Sequence, residues 1–89
     1  MEVMLDCRKL TDRTATHAYL KEQFGFPDYY GNNLDALYDC LMELSDTEIH
    51  LQTPEALSQL GHYSALLMDT LRDAVQNNPT LTLVQENNA

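Results

Sequence analysis

The sequence predicts an α/β fold, in which a small parallel sheet of three strands packs against helices in the order βααβααβ. Short segments of strand character stand near its start, middle and end: Val3, Leu5 and Cys7; Ile49 and Leu51; Thr80 to Gln85. Between them lie segments with apolar residues at helical spacing. Strands separated by helical connections favour right-handed crossovers and therefore parallel pairing.

Val3, Leu5 and Cys7 alternate with more polar neighbours, as the first strand of a half-buried sheet does. Thr11 to Thr14 form a capping region for a helix that runs to about Phe24, where Gly25 supplies the stop. The segment Phe26-Pro27-Asp28-Tyr29-Tyr30-Gly31-Asn32-Asn33 reads as a loop, and a second helix begins at Leu34. Ile49 and Leu51 mark the middle strand.

Thr53-Pro54-Glu55 then starts a short third helix, with a cap, a first-turn Pro and an acid at the positive end of the dipole. It ends near Gly61. Tyr63 to Gln76 carries Leu67, Leu71, Ala74 and Val75 at helical spacing and stops at Asn77-Asn78-Pro79. Thr80 to Gln85 is the last strand, and Gln85 to Ala89 reads as a polar, frayed end. With 89 residues and no linker, repeat or low-complexity segment, a single domain over 1–89 is expected.

No basic segment followed by an apolar run opens the chain, and nothing approaches the roughly 18 apolar residues of a membrane helix, so a cytoplasmic protein away from membranes is expected. Cys7 and Cys40 stand outside any CxxC spacing and read as reduced, core-packed thiols. Five Lys plus Arg against fourteen Asp plus Glu give a formal net charge of −9. Direct contact with nucleic acid is therefore not expected. From Glu22 to Leu71 there is no Lys or Arg, although carboxylates recur throughout. Solubility alone explains an acidic surface, so the arrangement of the acids has to discriminate.

The second helix provides that arrangement. Advancing about 100° per residue puts Leu34, Leu37, Leu41 and Leu44, joined by Cys40, on one apolar face. Asp35, Asp39 and Met42 fall on the far side, with Glu43 beside them and Tyr38 at the edge nearer the core. Asp35, Asp39 and Glu43 stand at i, i+4 and i+8, where like charges repel by roughly 0.2–0.5 kcal/mol per pair. Asp35 complements the helix dipole in the first turn. Asp39 has no such role, because a mid-helix Asp without a local cation is a poor helix former. A cation on a partner is the natural compensation. Tyr29 and Tyr30, just before the helix, each read equally as an interface anchor or as cover for the core.

The run Pro27-Asp28-Tyr29-Tyr30-Gly31-Asn32-Asn33-Leu34-Asp35-Ala36-Leu37-Tyr38-Asp39-Cys40-Leu41 closely resembles the signature segment of the barstar family of intracellular ribonuclease inhibitors. The shared pattern is P-x-Y-Y-G-x-N-L-D-A-L-x-D-C-L, and weaker similarity extends over most of the chain, including Leu71-Arg72-Asp73-Ala74 and Thr80 to Val84. The resemblance implies a barstar-like three-stranded parallel sheet over the whole domain. It also implies that Tyr29, Asn33, Asp35, Tyr38 and Asp39 enter or cover a ribonuclease active site. There Asp39, the central anchor, takes the place of an RNA phosphate among Arg and His residues, and Asp73 is a peripheral acidic contact. Tyr30, Met42 and Glu43 complete the expected partner-binding set.

Tyr38 stands where the family has tryptophan, and Met42, Glu43 and Leu44 replace threonine, glycine and tryptophan, so the rim of the site differs. The implied partner is a basic ribonuclease, of the extracellular type or the RNase domain of a toxin. The chain would serve as its immunity protein, monomeric when free and without cofactor.

Two other functions fit parts of the sequence. An enzyme could use Asp35 and Asp39 as acid and base, but carboxylates one turn apart on a convex helix lack a cleft. His17, His50 and His62 lie on separate expected elements, each read as a surface or packing residue. There is no HxxxH, Cys/His cluster or G-x-S-x-G, so neither catalytic nor metal-ligating residues are expected. Cys40 is disfavoured as a nucleophile by its acidic neighbours. The stronger alternative is an acidic module of the same fold that binds a basic partner other than a nuclease. Both binding functions predict salt-sensitive association.

Overall fold

The computed structural model describes residues 1–86. Strand β1 (Glu2–Asp6) buries Val3 and Leu5 and exposes Glu2 and Met4, as its alternation requires. The strand stops one residue short of Cys7, which opens a 3-10 turn over Cys7–Lys9. Asp6 causes the stop: its carboxylate accepts from the Arg8 N–H and guanidinium, each at 3.0 Å, and so folds the chain back. Cys7 is nevertheless fully buried.

Helix α1 (Arg13–Phe24) is N-capped by Asp12, whose carboxylate accepts from the Ala15 N–H at 2.7 Å. It ends at Gly25 in the left-handed region (φ 69°), where a residue without Cβ suits the backbone. Helix α2 (Leu34–Met42) follows the loop, and β2 (Thr47–Gln52) follows α2. Helix α3 (His62–Asn77) leads to β3 (Leu81–Glu86). The expected frayed end thus begins too early, because Gln85 and Glu86 pair with Leu51 and Gln52 of β2. Residues 87–89 of that end lie outside the described residues.

The expected third α-helix is a 3-10 helix, Pro54–Leu60. Thr53 is not extended, as a capping residue is, but left-handed (φ 54°), with its carbonyl accepting from Ala56 N–H. The segment packs back on the first 3-10 turn through Gln59 Nε2, which donates to the Cys7 and Arg8 carbonyls at 3.0 and 3.3 Å.

The sheet has the order β1-β2-β3 with both pairs parallel, as expected. Val3, Ile49 and Leu83 share one inward row, joined by Leu5, Leu51 and Leu81. These residues meet Leu20, Leu37, Leu41, Leu67 and Leu71 from the helices in one core. Among the described residues no element covers the other face of the sheet: Glu2, Met4, Glu48 and Thr82 are exposed on it. No helix among the described residues is long and apolar enough to cross a membrane.

Candidate functional site

The site is built on α2 and the loop before it. Asn33 starts the helix, its side-chain oxygen accepting from the Ala36 N–H at 2.7 Å while its amide donates to the Gly31 carbonyl at 3.2 Å. Its side chain is therefore held before any partner arrives. Gly31 lies close under α2, since a Cβ there would stand 3.3 Å from Ala36 Cβ. Leu37 and Leu41 are completely buried and fix the orientation of the helix. Asp35, Asp39 and Glu43 consequently face outward, and all three are exposed.

The C-terminal end of α2 is held from α3. Asn78, itself buried, donates through Nδ2 to the carbonyls of Leu41 (3.2 Å) and Leu44 (2.9 Å). A side chain read in the sequence only as a helix stop therefore satisfies carbonyls that a helix end leaves without partners. The helix ends at Met42, so Glu43 is the C-cap residue and Leu44 lies beyond it. There a carboxylate opposes the dipole, which makes Glu43 a second acid without a stabilising role in the helix.

Tyr29 and Tyr30 separate cleanly. Tyr29 is 81% exposed, whereas Tyr30 is 4% exposed and belongs to the core. Of the two uses the sequence allowed for each tyrosine, Tyr30 serves as cover for the core in the free chain: its ring lies 4.9 Å from that of Phe26, which stacks on Phe24 at 5.0 Å. Its hydroxyl lies 2.6 Å from His17 Nδ1, and His17 Nε2 lies 2.6 Å from the Tyr63 hydroxyl. A neutral imidazole serves both, donating through one nitrogen and accepting at the other. Burial keeps the His17 pKa below its ordinary value and raises those of both tyrosines. No sequence signal marked His17 for this role, because its partners lie 13 and 46 residues away.

Met42 is half-buried: part of its side chain packs against the core and part stays open to solvent at the end of α2. Tyr38, at the edge as expected, is half-buried too, and its hydroxyl accepts from Asn77 Nδ2 at 2.9 Å. Asp73, one turn before Asn77 on α3, is exposed.

Two concavities divide the expected residues. Tyr29, Gly31, Asp39 and Glu43 line one, with Tyr30 and Cys40 at its base. Asn33 and Asp35 line the other together with Arg13 and Tyr63. The Arg13 guanidinium stacks 4.5 Å from the Tyr63 ring centre, so a cation stands in the same concavity as Asp35, without an ion pair to it. No cation lines the concavity of Asp39, and among the described residues its carboxylate makes no hydrogen bond or ion pair. The Cys40 thiol is raised in pKa by burial and by the nearby Glu43 and Asp39, which keeps it a weak nucleophile.

The combination on α2 is a rigid helix with an unpaired acid at its middle, an exposed Tyr on one flank and acids at both ends. Comparison with known proteins agrees with this architecture. Residues 1–87 match the family model described as Barstar (barnase inhibitor). A protein of Bacillus subtilis (strain 168), named "Putative ribonuclease inhibitor YrdF", is 33% identical over 76 residues, covering 82% of this chain and 84% of that one. On both grounds, this chain belongs to the barstar (barnase inhibitor) family.

Proposed function

We propose that this chain inhibits a basic ribonuclease, of the extracellular type or the RNase domain of a toxin, by laying α2 and its preceding loop over the enzyme's active site. The observation that carries this reading is Asp39, an exposed mid-helix carboxylate without hydrogen bond or ion pair among the described residues. Such a position weakens the free helix and is compensated by cations on a partner. Asp39 takes the place of an RNA phosphate among those cations. Tyr29 covers one flank and Tyr38 the other; Asn33 and Asp35 approach from the start of the helix, and Glu43 and Asp73 form an acidic rim. Met42 adds apolar contact through its exposed part, while Tyr30 holds the loop from inside.

The family description and the name of the Bacillus subtilis relative support ribonuclease as the partner class. Inhibition takes place in the cytoplasm, by a monomer that touches no RNA and uses no cofactor. The test is to titrate the purified chain into an RNA-cleavage assay of a small basic ribonuclease encoded beside its gene. Cleavage falls to the background near one equivalent of inhibitor. Binding of that enzyme with undiminished cleavage would instead identify an acidic docking module for basic proteins.

A further inference from the structure

The open face of the sheet carries a second cluster. It lies on the side opposite the helices and so away from α2. The parallel register sets Glu2 directly across from Glu48, and His50 follows Glu48 by two residues on the same strand and face. Ligand atoms of Glu2, Glu48 and His50 all lie within 4.8 Å of one another. His50 Nε2 is 3.2 Å from Glu48 Oε2, and Nδ1 is 2.5 Å from Glu86 Oε1 on β3.

Three carboxylates therefore surround one imidazole, and among the described residues no Lys or Arg pairs with any of them. Like charges directly opposite on neighbouring strands destabilise a sheet, and among the described residues the only group of opposite charge paired with these carboxylates is His50, when protonated. The backbone that carries the donors is a hydrogen-bonded ladder, which keeps their spacing fixed. The His50 side chain is only 14% exposed, so its ring does not swing freely.

We propose that Glu2, Glu48 and His50, with Glu86 alongside, bind one borderline divalent cation of the Zn2+ class. An imidazole combined with carboxylates suits Zn2+, Co2+ or Ni2+, whereas Mg2+ and Ca2+ prefer oxygen donors throughout. The three ligands come from β1 and β2, so the cation clips these two strands together, while Glu86 of β3 holds His50 through its Nδ1. The sequence reading expected no metal site. It had no means of finding this one, since residues 2, 48 and 86 meet only through the register.

The experiment is calorimetric titration of the full chain with ZnCl2 near neutral pH, with thermal melts alongside. Saturation at one equivalent and a rise in melting temperature are expected. His50→Ala and Glu48→Gln each weaken binding by roughly tenfold or more, given that changes to outer-shell groups alone cost 10–100-fold. Circular dichroism checks that both variants fold, and Glu48→Gln, at an exposed position, decides the matter if His50→Ala does not. Failure to saturate at millimolar Zn2+, or affinity unchanged in a folded Glu48→Gln variant, would overturn the assignment. So would displacement of Zn2+ by an excess of Mg2+.

Discussion

His17 Nδ1 lies 2.6 Å from the Tyr30 hydroxyl, and this buried contact fixes from inside the loop whose outer side presents Tyr29. Two adjacent tyrosines thus have opposite tasks. Tyr30→Phe keeps the ring but leaves a buried His17 nitrogen without its partner, at a cost of roughly 1–3 kcal/mol in stability. Tyr29→Ala alters stability by no more than about 0.5 kcal/mol, as exposed substitutions do, and weakens partner binding. Denaturant unfolding and a binding assay on both variants check the division. A stable Tyr30→Phe beside a destabilised Tyr29→Ala would reverse it.

The same histidine makes stability depend on pH. Burial holds the His17 pKa below its ordinary value of 6.5, so the unfolded chain takes up this proton more readily than the folded one. Stability from the neutral ring is complete above the unfolded-state pKa and is lost as the pH falls from there through the folded-state pKa. The His17 contribution to the melting temperature therefore declines from about pH 7 towards about pH 5. In a His17→Gln variant the starting stability is lower and the decline over that interval shallower. An equal slope in both proteins would remove His17 as the cause.

Asn78 links the end of α3 to the end of α2. Asn78→Ala frees the Leu41 and Leu44 carbonyls from their donor, and chemical unfolding should register a loss of roughly 1–3 kcal/mol. A change below about 0.5 kcal/mol, the ordinary range for surface substitutions, would show that the cap contributes nothing.

The element order and the parallel sheet were legible because they depend on local patterns: alternation in the strands, helical spacing, and Gly25 at a helix end. The errors share a cause. Cys7, Thr53 and Gln85 were assigned from their own neighbours, while the Arg8–Asp6 contact, a left-handed φ and pairing with β2 decided their conformations. The outward faces of Asp35 and Asp39 could be derived from helical geometry. Which tyrosine turns inward could not, because that depends on His17 and Tyr63, contributed by other parts of the chain. The pairing of Glu2 with Glu48 was hidden for the same reason.

The central claim is that Asp39 supplies the charge that a ribonuclease active site receives. Its most direct test is the affinity of Asp39→Ala for the cognate ribonuclease, measured beside the parent and beside Leu41→Ala. The account predicts a loss of at least about 2 kcal/mol, the general threshold for an interface hot spot, of which the barnase–barstar pair of this family is itself a standard example. The melting temperature of Asp39→Ala does not fall and rises slightly, since a poor helix former is replaced by a good one, whereas Leu41→Ala, a fully buried truncation, loses roughly 2–5 kcal/mol of fold stability. Undiminished binding and inhibition by Asp39→Ala would contradict the account.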